Sequence, residues 1–456
     1  MPREDFAVVR YALQMLSSLK DLPFHHVLPT SASISEGGGI SVGGCDLREL
    51  ARGYGTPFYV FDEGDFRGTC QEYRREFESR WPEVRVVYAA KAYLSRAIAR
   101  IVAEEGLGID VVSGGELSVA RAADFPAELA YFHGNNKGEL ELQEAVDWGI
   151  GHVVIDSFHE LELLGRIAAA KGAPQRALLR ISPNVDPHTH AATTTGILDS
   201  KFGFAIANGD AERAVGLAEA ADGLELAGLH VHLGSPVFEI EPFAQASEIV
   251  VSFAAQMGNI HGFEMQEYSP GGGYALAYTR DQHAPSIAEY AETIVGSLDR
   301  ALESRNLFRP SIHIEPGRSL IGRSMMAVYK VGARKEIPGV RTYVSVDGGM
   351  ADNIRPAIYG SRYEVISVDR PLADVEETVT LAGKYCESGD ILVRDAEVPR
   401  FETDELVGVP ASGAYNLAMS SNYNLALRPP VIGVSNGEAR VIQRRETVED
   451  LLTRDS

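Results

Sequence analysis

One lysine closes a β-rich apolar run, Val84-Arg-Val-Val-Tyr-Ala-Ala-Lys91, and a helical pattern begins directly after it. A lysine at the C-terminal end of a buried strand stands where (β/α)₈ barrels keep their chemistry. In apolar surroundings its ammonium form is disfavoured, and the neutral amine can attack an aldehyde. Taken alone, Lys91 is better explained as a strand-end side chain reaching water. Its companions change that reading. Other apolar runs end in Asp110-Val-Val-Ser113-Gly-Gly-Glu116, His133-Gly-Asn-Asn-Lys137, His230-Val-His232-Leu-Gly-Ser235, Gly271-Gly272-Gly273 and Glu315-Pro-Gly317-Arg318. These residues are poor for packing and good for chemistry.

The glycine triplet lets backbone N–H groups approach an anion with no side chain in the way, although a plain turn would use the same residues. Barrels often hold phosphate between the loops after strands seven and eight, where the triplet and Arg318 lie. A phosphate site, a lysine amine and a carboxylate together suggest pyridoxal 5′-phosphate. Lys91 would hold its aldehyde as a Schiff base, and Glu315 would bond the pyridine nitrogen and keep it protonated, which favours a full carbanion. His232 is expected to line the mouth against the ring, with His230 a satisfied histidine behind it. The pairs His230/His232 and His188/His190 also invite a metal reading, but no third ligand of suitable spacing declares itself, and no metal is expected.

Positioning these residues requires a regular frame. From residue 82 onward eight apolar runs alternate with amphipathic helical runs: Val84–Ala90, Gly108–Ser113, Ala130–His133, His152–Asp156, Ala177–Ser182, Ala227–Leu233, Met265–Ser269 and Ser311–Ile314. Alternation of this kind implies parallel strands with crossover helices, and eight units imply closure into a barrel. After Arg318 the helical pattern fades and short strands separated by Gly, Pro and Asp turns take over. The expected fold is therefore α/β: a (β/α)₈ TIM-like barrel over residues 61–318, plus a mostly antiparallel β domain. Residues 29–60, through strands around Ile40–Val42, and 319–456 would build that second domain. Residues 1–28 form an extension, with an amphipathic helix expected over Phe6–Leu19.

Composition excludes several classes. The 456 residues carry 42 Lys+Arg against 64 Asp+Glu, a net charge of −22, which argues against nucleic-acid or acidic-membrane partners. Three cysteines, Cys45, Cys70 and Cys386, offer neither a disulfide framework nor zinc spacing and fit a reducing, cytoplasmic setting. No run is long and apolar enough to span a bilayer, and Glu4, Asp5 and Arg10 argue against a signal peptide.

Together, Tyr88-Ala-Ala-Lys91, Asp110 to Leu117, His133 to Lys137, His232 to Ser235, the glycine triplet and Glu315 to Arg318 resemble the fold-type III pyridoxal-phosphate decarboxylases. That family includes the ornithine, arginine and diaminopimelate decarboxylases and shares its barrel-plus-β-domain plan with alanine racemase. The resemblance runs in order from about Ser41 to Leu452. It implies that Lys91 is the Schiff-base lysine, His232 the ring-stacking histidine and Glu315 the pyridine-nitrogen partner. Asp110, Ser235, Gly272, Gly273, Gly317, Arg318 and Tyr415 would complete the cofactor site. Cys386, within Cys386-Glu387-Ser-Gly-Asp390, resembles the family's catalytic cysteine, which enters the neighbouring subunit's site, so a homodimer is implied.

The substrate branch turns on the far end of the pocket. A substrate ending in an ammonium and a carboxylate needs an anion and a cation there, because a buried unpaired charge is heavily penalised. Glu387 suits the ammonium, and Arg355 with Tyr359 suits the carboxylate, since a guanidinium bonds both its oxygens. Arg355 could instead form a surface ion pair. The Arg355-Pro-Ala-Ile-Tyr359 spacing resembles the diaminopimelate branch, with Arg318 and Tyr415 as further substrate contacts. The resemblance then implies conversion of meso-2,6-diaminopimelate to L-lysine and carbon dioxide. A decarboxylase of ornithine, arginine or carboxynorspermidine, a racemase, and an inactive binding homologue are the alternatives. Residues 188–203 could form a mobile lid or a fixed loop.

Overall fold

The computed structural model describes residues 18–186 and 200–455. Among them, eight parallel strands close into a barrel: Val84–Ala89, Gly108–Val111, Ala130–Phe132, His152–Ile155, Gln175–Ser182, Leu224–His230, Glu267–Gly271 and Ser311–Ile314. Each pairs with the next, and Ser311–Ile314 returns to Val84–Ala89 with Ile312 beside Val84. All eight expected strands are present, with ends shifted by up to three residues. A ninth short strand, Phe204–Ala205, adds to Gln175–Ser182.

Several of the barrel helices start at a serine. Ser95, Ser113 and Ser157 each accept a hydrogen bond from a backbone N–H two or three residues into the next helix. Ser286 and Glu289 form a reciprocal capping box for Ile287–Arg305, and Asn306 ends it in the left-handed conformation. Fixed strand-to-helix joins make the strand ends rigid, which is what a site built on them needs.

The barrel interior is less apolar than (β/α)₈ barrels usually are. Tyr131, His152, Glu267 and His313 meet across it near its floor: His152 Nε2 lies 2.9 Å from Glu267 Oε2, and the Tyr131 ring stacks on His152 at 4.4 Å. Val154, Leu178 and Ala227 form a small separate apolar cluster. The large apolar core lies outside the barrel wall, where alternate strand residues such as Val86, Tyr88, Ile109 and Leu179 pack.

The second domain is a mixed sheet in the order Ile391–Val398, Glu377–Ala382, Arg341–Val346, Met325–Ile337, Phe58–Asp62, Val431–Ser435, Glu438–Gln443. Its neighbours are antiparallel except for two pairs. Leu406–Val409 also pairs along Met325–Ile337. The N-terminal contribution differs from expectation. Ile40–Val42 lies in its own three-stranded sheet with Ser33–Ile34 and Cys45–Asp46, because Gly43 and Gly44, at φ +58° and +82°, reverse the chain at once. The strand that enters the main sheet is Phe58–Asp62, all five residues buried. It runs past residue 60 and lies between Met325–Ile337 and Val431–Ser435.

The expected helix over Phe6–Leu19 lies almost wholly outside the described residues, as do His188, His190 and most of 188–203. Residues 18–28 pack onto the body: Leu19, Leu22, Phe24, Val27 and Leu28 are buried, and Arg280 lies over the Phe24 ring. Among the described residues no helix is long and apolar enough to cross a membrane.

Candidate active site

At the C-terminal mouth of the barrel, one cavity of about 290 Å³ is lined by Lys91, His232, Ser235, Arg318 and Tyr415 from the expected cofactor set, and by Arg355 and Tyr359 from the expected substrate set. Lys91 sits in a tight turn, Ala90–Ala92, immediately after its strand. Its surroundings are not apolar. Burial disfavours the ammonium, but Asp110, then Tyr415 and Glu315, outweigh it and hold the amine above its usual range. Burial likewise pushes the Asp110 carboxyl up to about 8, against the pull of Lys91. Both Asp110 oxygens are buried and have no hydrogen-bond partner among the described residues.

Glu315 follows the last barrel strand and is buried under the mouth. His230 Nε2 lies 3.0 Å from its Oε2, Ser269 Oγ donates to its Oε1 at 2.9 Å, and His133 Nε2 stands 3.4 Å away. Burial opposes charge on Glu315, yet His230 and His133 outweigh it and hold this carboxyl well below the usual range. His230 thus lies behind the site, bonded to Glu315 through Nε2, while its buried Nδ1 has no hydrogen-bond partner among the described residues. The third group that the metal reading lacked is present: ligand atoms of His133, His230 and Glu315 lie within 4.8 Å of one another. Hydrogen bonding to His230 and Ser269 already engages both Glu315 oxygens.

His232 lies past the end of its strand, and Gly272 N–H donates to its Nδ1 at 3.2 Å. Accepting there places the neutral ring's proton on Nε2. Burial, with Lys91 and Arg180 nearby, holds the His232 pKa well below its usual value. The glycine triplet is a geometric necessity. A Cβ on Gly272 would come within 2.3 Å of Glu315 O, and one on Gly273 within 2.3 Å of Gly234 O. Gly317 meets the lysine strand less tightly, its Cβ position lying 2.9 Å from Ala89 O.

The β domain completes the cavity. Tyr415, at φ +64°, donates its N–H to Ala92 O at 2.8 Å, which docks its loop on the Lys91 turn. Its ring lies 4.7 Å from the Arg318 guanidinium carbon, while Arg318 Nε donates to Ser235 Oγ at 3.1 Å. Arg355 opens the short helix Arg355–Tyr359 and is buried, not a surface ion-pair residue. Cys386 and Glu387 do not line this cavity; both are exposed. Their loop is shaped by buried Asp390, which accepts from Met350 N and Tyr385 N at 2.6 and 2.8 Å.

Four residues of this region escaped sequence reasoning. Tyr278 and Tyr363 contact Arg355, Asn416 accepts from Tyr363, and Arg180 projects from Gln175–Ser182 toward Asp156 and the Phe202 ring. Only Arg180 left a signal, as a charge inside an otherwise apolar run. Lys137, by contrast, is spent on structure: its ammonium bonds Glu160 at 2.8 Å, Gly134 O and Val154 O.

These groups fit pyridoxal 5′-phosphate. A lysine amine beside an unpartnered buried carboxylate, an ionised Glu315 and a buried arginine next to close-packed glycines answer its aldehyde, ring nitrogen and phosphate in turn. The comparisons agree. Residues 64–322 match the family model for the pyridoxal-dependent decarboxylases, pyridoxal binding domain. The chain is similar to the diaminopimelate decarboxylase of Bacillus methanolicus, 39% identical over 91% of this chain and 96% of that one. It is 42% identical to that of Synechocystis sp. over 95% of this chain and 93% of the relative. Its fold matches the crystal structure of diaminopimelate decarboxylase from M. jannaschii with L-lysine at a TM-score of 0.87 and 32% identity, covering 94% and 98% of the two chains.

Proposed function

This chain belongs to the pyridoxal-dependent decarboxylases, with diaminopimelate decarboxylases as relatives over nearly its whole length, and from that premise we propose that it converts meso-2,6-diaminopimelate to L-lysine and carbon dioxide. The observation that carries the substrate is the pair of buried arginines, Arg318 and Arg355, in one cavity with no carboxylate partner among the described residues. Two buried guanidiniums call for two anions. The cofactor phosphate answers Arg318, and a carboxylate at the far end of the substrate answers Arg355. Ornithine brings no second carboxylate and would leave Arg355 uncompensated.

When bound, pyridoxal 5′-phosphate supplies an aldehyde for amino groups and a ring that withdraws electrons from a bond broken at Cα. Lys91 would hold it through Nζ, with Asp110 alongside. Glu315, ionised, would keep a proton on the ring nitrogen, and neutral His232 would support the ring face. Ser235, Gly272, Gly273, Gly317, Arg318 and Tyr415 would enclose the phosphate. Arg355 and Tyr359 would bind the distal carboxylate and fix which end of the substrate faces the ring. Glu387 would take the distal ammonium, and the Cys386 thiol would return a proton to Cα after carbon dioxide leaves. Both lie outside their own chain's cavity, so they would serve a second copy in a homodimer. Exposed Tyr423, whose hydroxyl reaches Cys386 O, and exposed Leu425 support such an interface. Three free cysteines, one exposed, support a cytoplasmic setting.

Supplying meso-diaminopimelate, ornithine, arginine and carboxynorspermidine separately tests the substrate. Lysine and carbon dioxide should form from the first alone, and brisk turnover of another without it would sink the reading. Mixing Lys91→Ala chains with Cys386→Ala chains tests the shared site. Random pairing should restore roughly a quarter of wild-type activity, whereas no recovery from co-refolded chains overturns it.

A further inference from the structure

Tyr278 stands between the two arginines. Its phenol oxygen accepts from Arg318 Nη1 at 2.8 Å, and the Arg355 guanidinium carbon lies 4.6 Å from its ring centre. Tyr363 meets the ring edge-on at 5.4 Å, accepts a hydrogen bond from Arg355 and donates to Asn416 Oδ1 at 3.1 Å. All five side chains are buried. One rigid side chain therefore touches both cations, one through its oxygen and the other through its face.

We propose that Tyr278 is a positioning residue that spaces Arg318 from Arg355 and so matches the site to a substrate carrying a carboxylate at its distal end. This rests on the assignment of Arg355 to that carboxylate. The physical case is geometric. A guanidinium on an aromatic face is held by the ring quadrupole and loses that attraction if it slides off. The other guanidinium is fixed by a hydrogen bond at the ring's far end. Burial works to raise the phenol's pKa, yet Arg318 and Arg355 pull it below its usual value, as two cations facing one oxygen should. Tyr363, itself bonded to Asn416, also braces Arg355, and Tyr278 is the tyrosine that bonds Arg318 as well.

The test compares L-lysine, which keeps the distal carboxylate, with cadaverine, which lacks it, both titrated against the holoenzyme by cofactor absorbance. Wild type should bind L-lysine at least roughly 30-fold more tightly than cadaverine. Tyr278→Phe, which deletes one oxygen, should cut that advantage by roughly 5- to 10-fold, with cadaverine affinity and cofactor colour unchanged. KM for meso-diaminopimelate should rise while kcat stays within about 3-fold. Tyr278→Leu, which removes the platform as well, should erase the advantage. An undiminished advantage in both variants overturns the role of Tyr278 and leaves the substrate reading standing. A wild-type enzyme that binds both amines equally overturns the substrate reading itself.

Discussion

Two clusters of two histidines and a glutamate occupy opposite ends of the same barrel, and only one lies within electrostatic reach of Lys91. At the floor, Glu267 bonds His152, lies 3.7 Å from His313 and is closed by Arg176 at 2.9 Å. At the mouth, Glu315 has His230, His133 and Ser269 but no arginine within ion-pair distance among the described residues. The floor cluster is tied to Arg176, a cation that reaches solvent and is shared with Glu225. The mouth cluster holds its charge with only histidines and a serine in contact among the described residues, and with Lys91 and Asp110 close by. The same residue types therefore make a structural tie in one place and a receptive site in the other. The difference lies in whether the protein supplies the last charge.

That contrast can be broken at either end. Lys91→Ala should remove the yellow absorbance and lower kcat by at least roughly 10⁴-fold while the melting temperature stays within a few degrees. Glu315→Gln should lower kcat roughly 10²- to 10³-fold, since the ring nitrogen loses its anion, with the cofactor still bound. Glu267→Gln should do the reverse: kcat per folded molecule within about 2-fold, and stability in urea lower by about 2–4 kcal/mol. A variant at 267 that loses turnover without losing stability would erase the distinction.

Acid should expose the floor as well. Burial works against charge on Glu267, but its histidine and arginine neighbours bring it down to about 2 from an ordinary 4.5. Its contribution is complete above about pH 4.5 and is lost as pH falls toward 2. Burial lowers His313 to about 3 from 6.5, so the unfolded chain binds the extra proton between those values and stability again falls with pH. Both slopes have the same sign, and urea midpoints should drop steadily from pH 6.5 to 3. Glu267→Gln should flatten the lower part of that slope. The smallest effect expected is from Arg176→Gln. This arginine is partly exposed, so the loss should be near 1 kcal/mol or less.

Much of the barrel was legible because its strands are buried on both sides and read as continuous apolar runs with chemistry at their ends. Lys91, His232, Arg318, Arg355 and Tyr415 were expected at one site, and they share one cavity. Phe58–Asp62 was missed because five apolar-rich residues before a helix say nothing about partners far along the chain. Tyr278 and Tyr363 were missed for a related reason: each is one tyrosine among 18, and its role exists only once distant segments meet. The polar floor was hidden too. His152, Glu267 and His313 sit on three different strands, and nothing local to any of them indicates that they converge.

Phe58–Asp62 carries a further consequence, which concerns synthesis. Its partner strand Met325–Ile337 follows roughly 260 residues later, so at 5–20 residues per second the nascent strand waits about 15–50 s for a neighbour. During that interval a five-residue apolar strand is left without its sheet, while the whole barrel can emerge and close behind it. Overproduction without holdase chaperones should therefore send this protein into inclusion bodies through its N-terminal strand, and release of chains truncated before Met325 should make that worse.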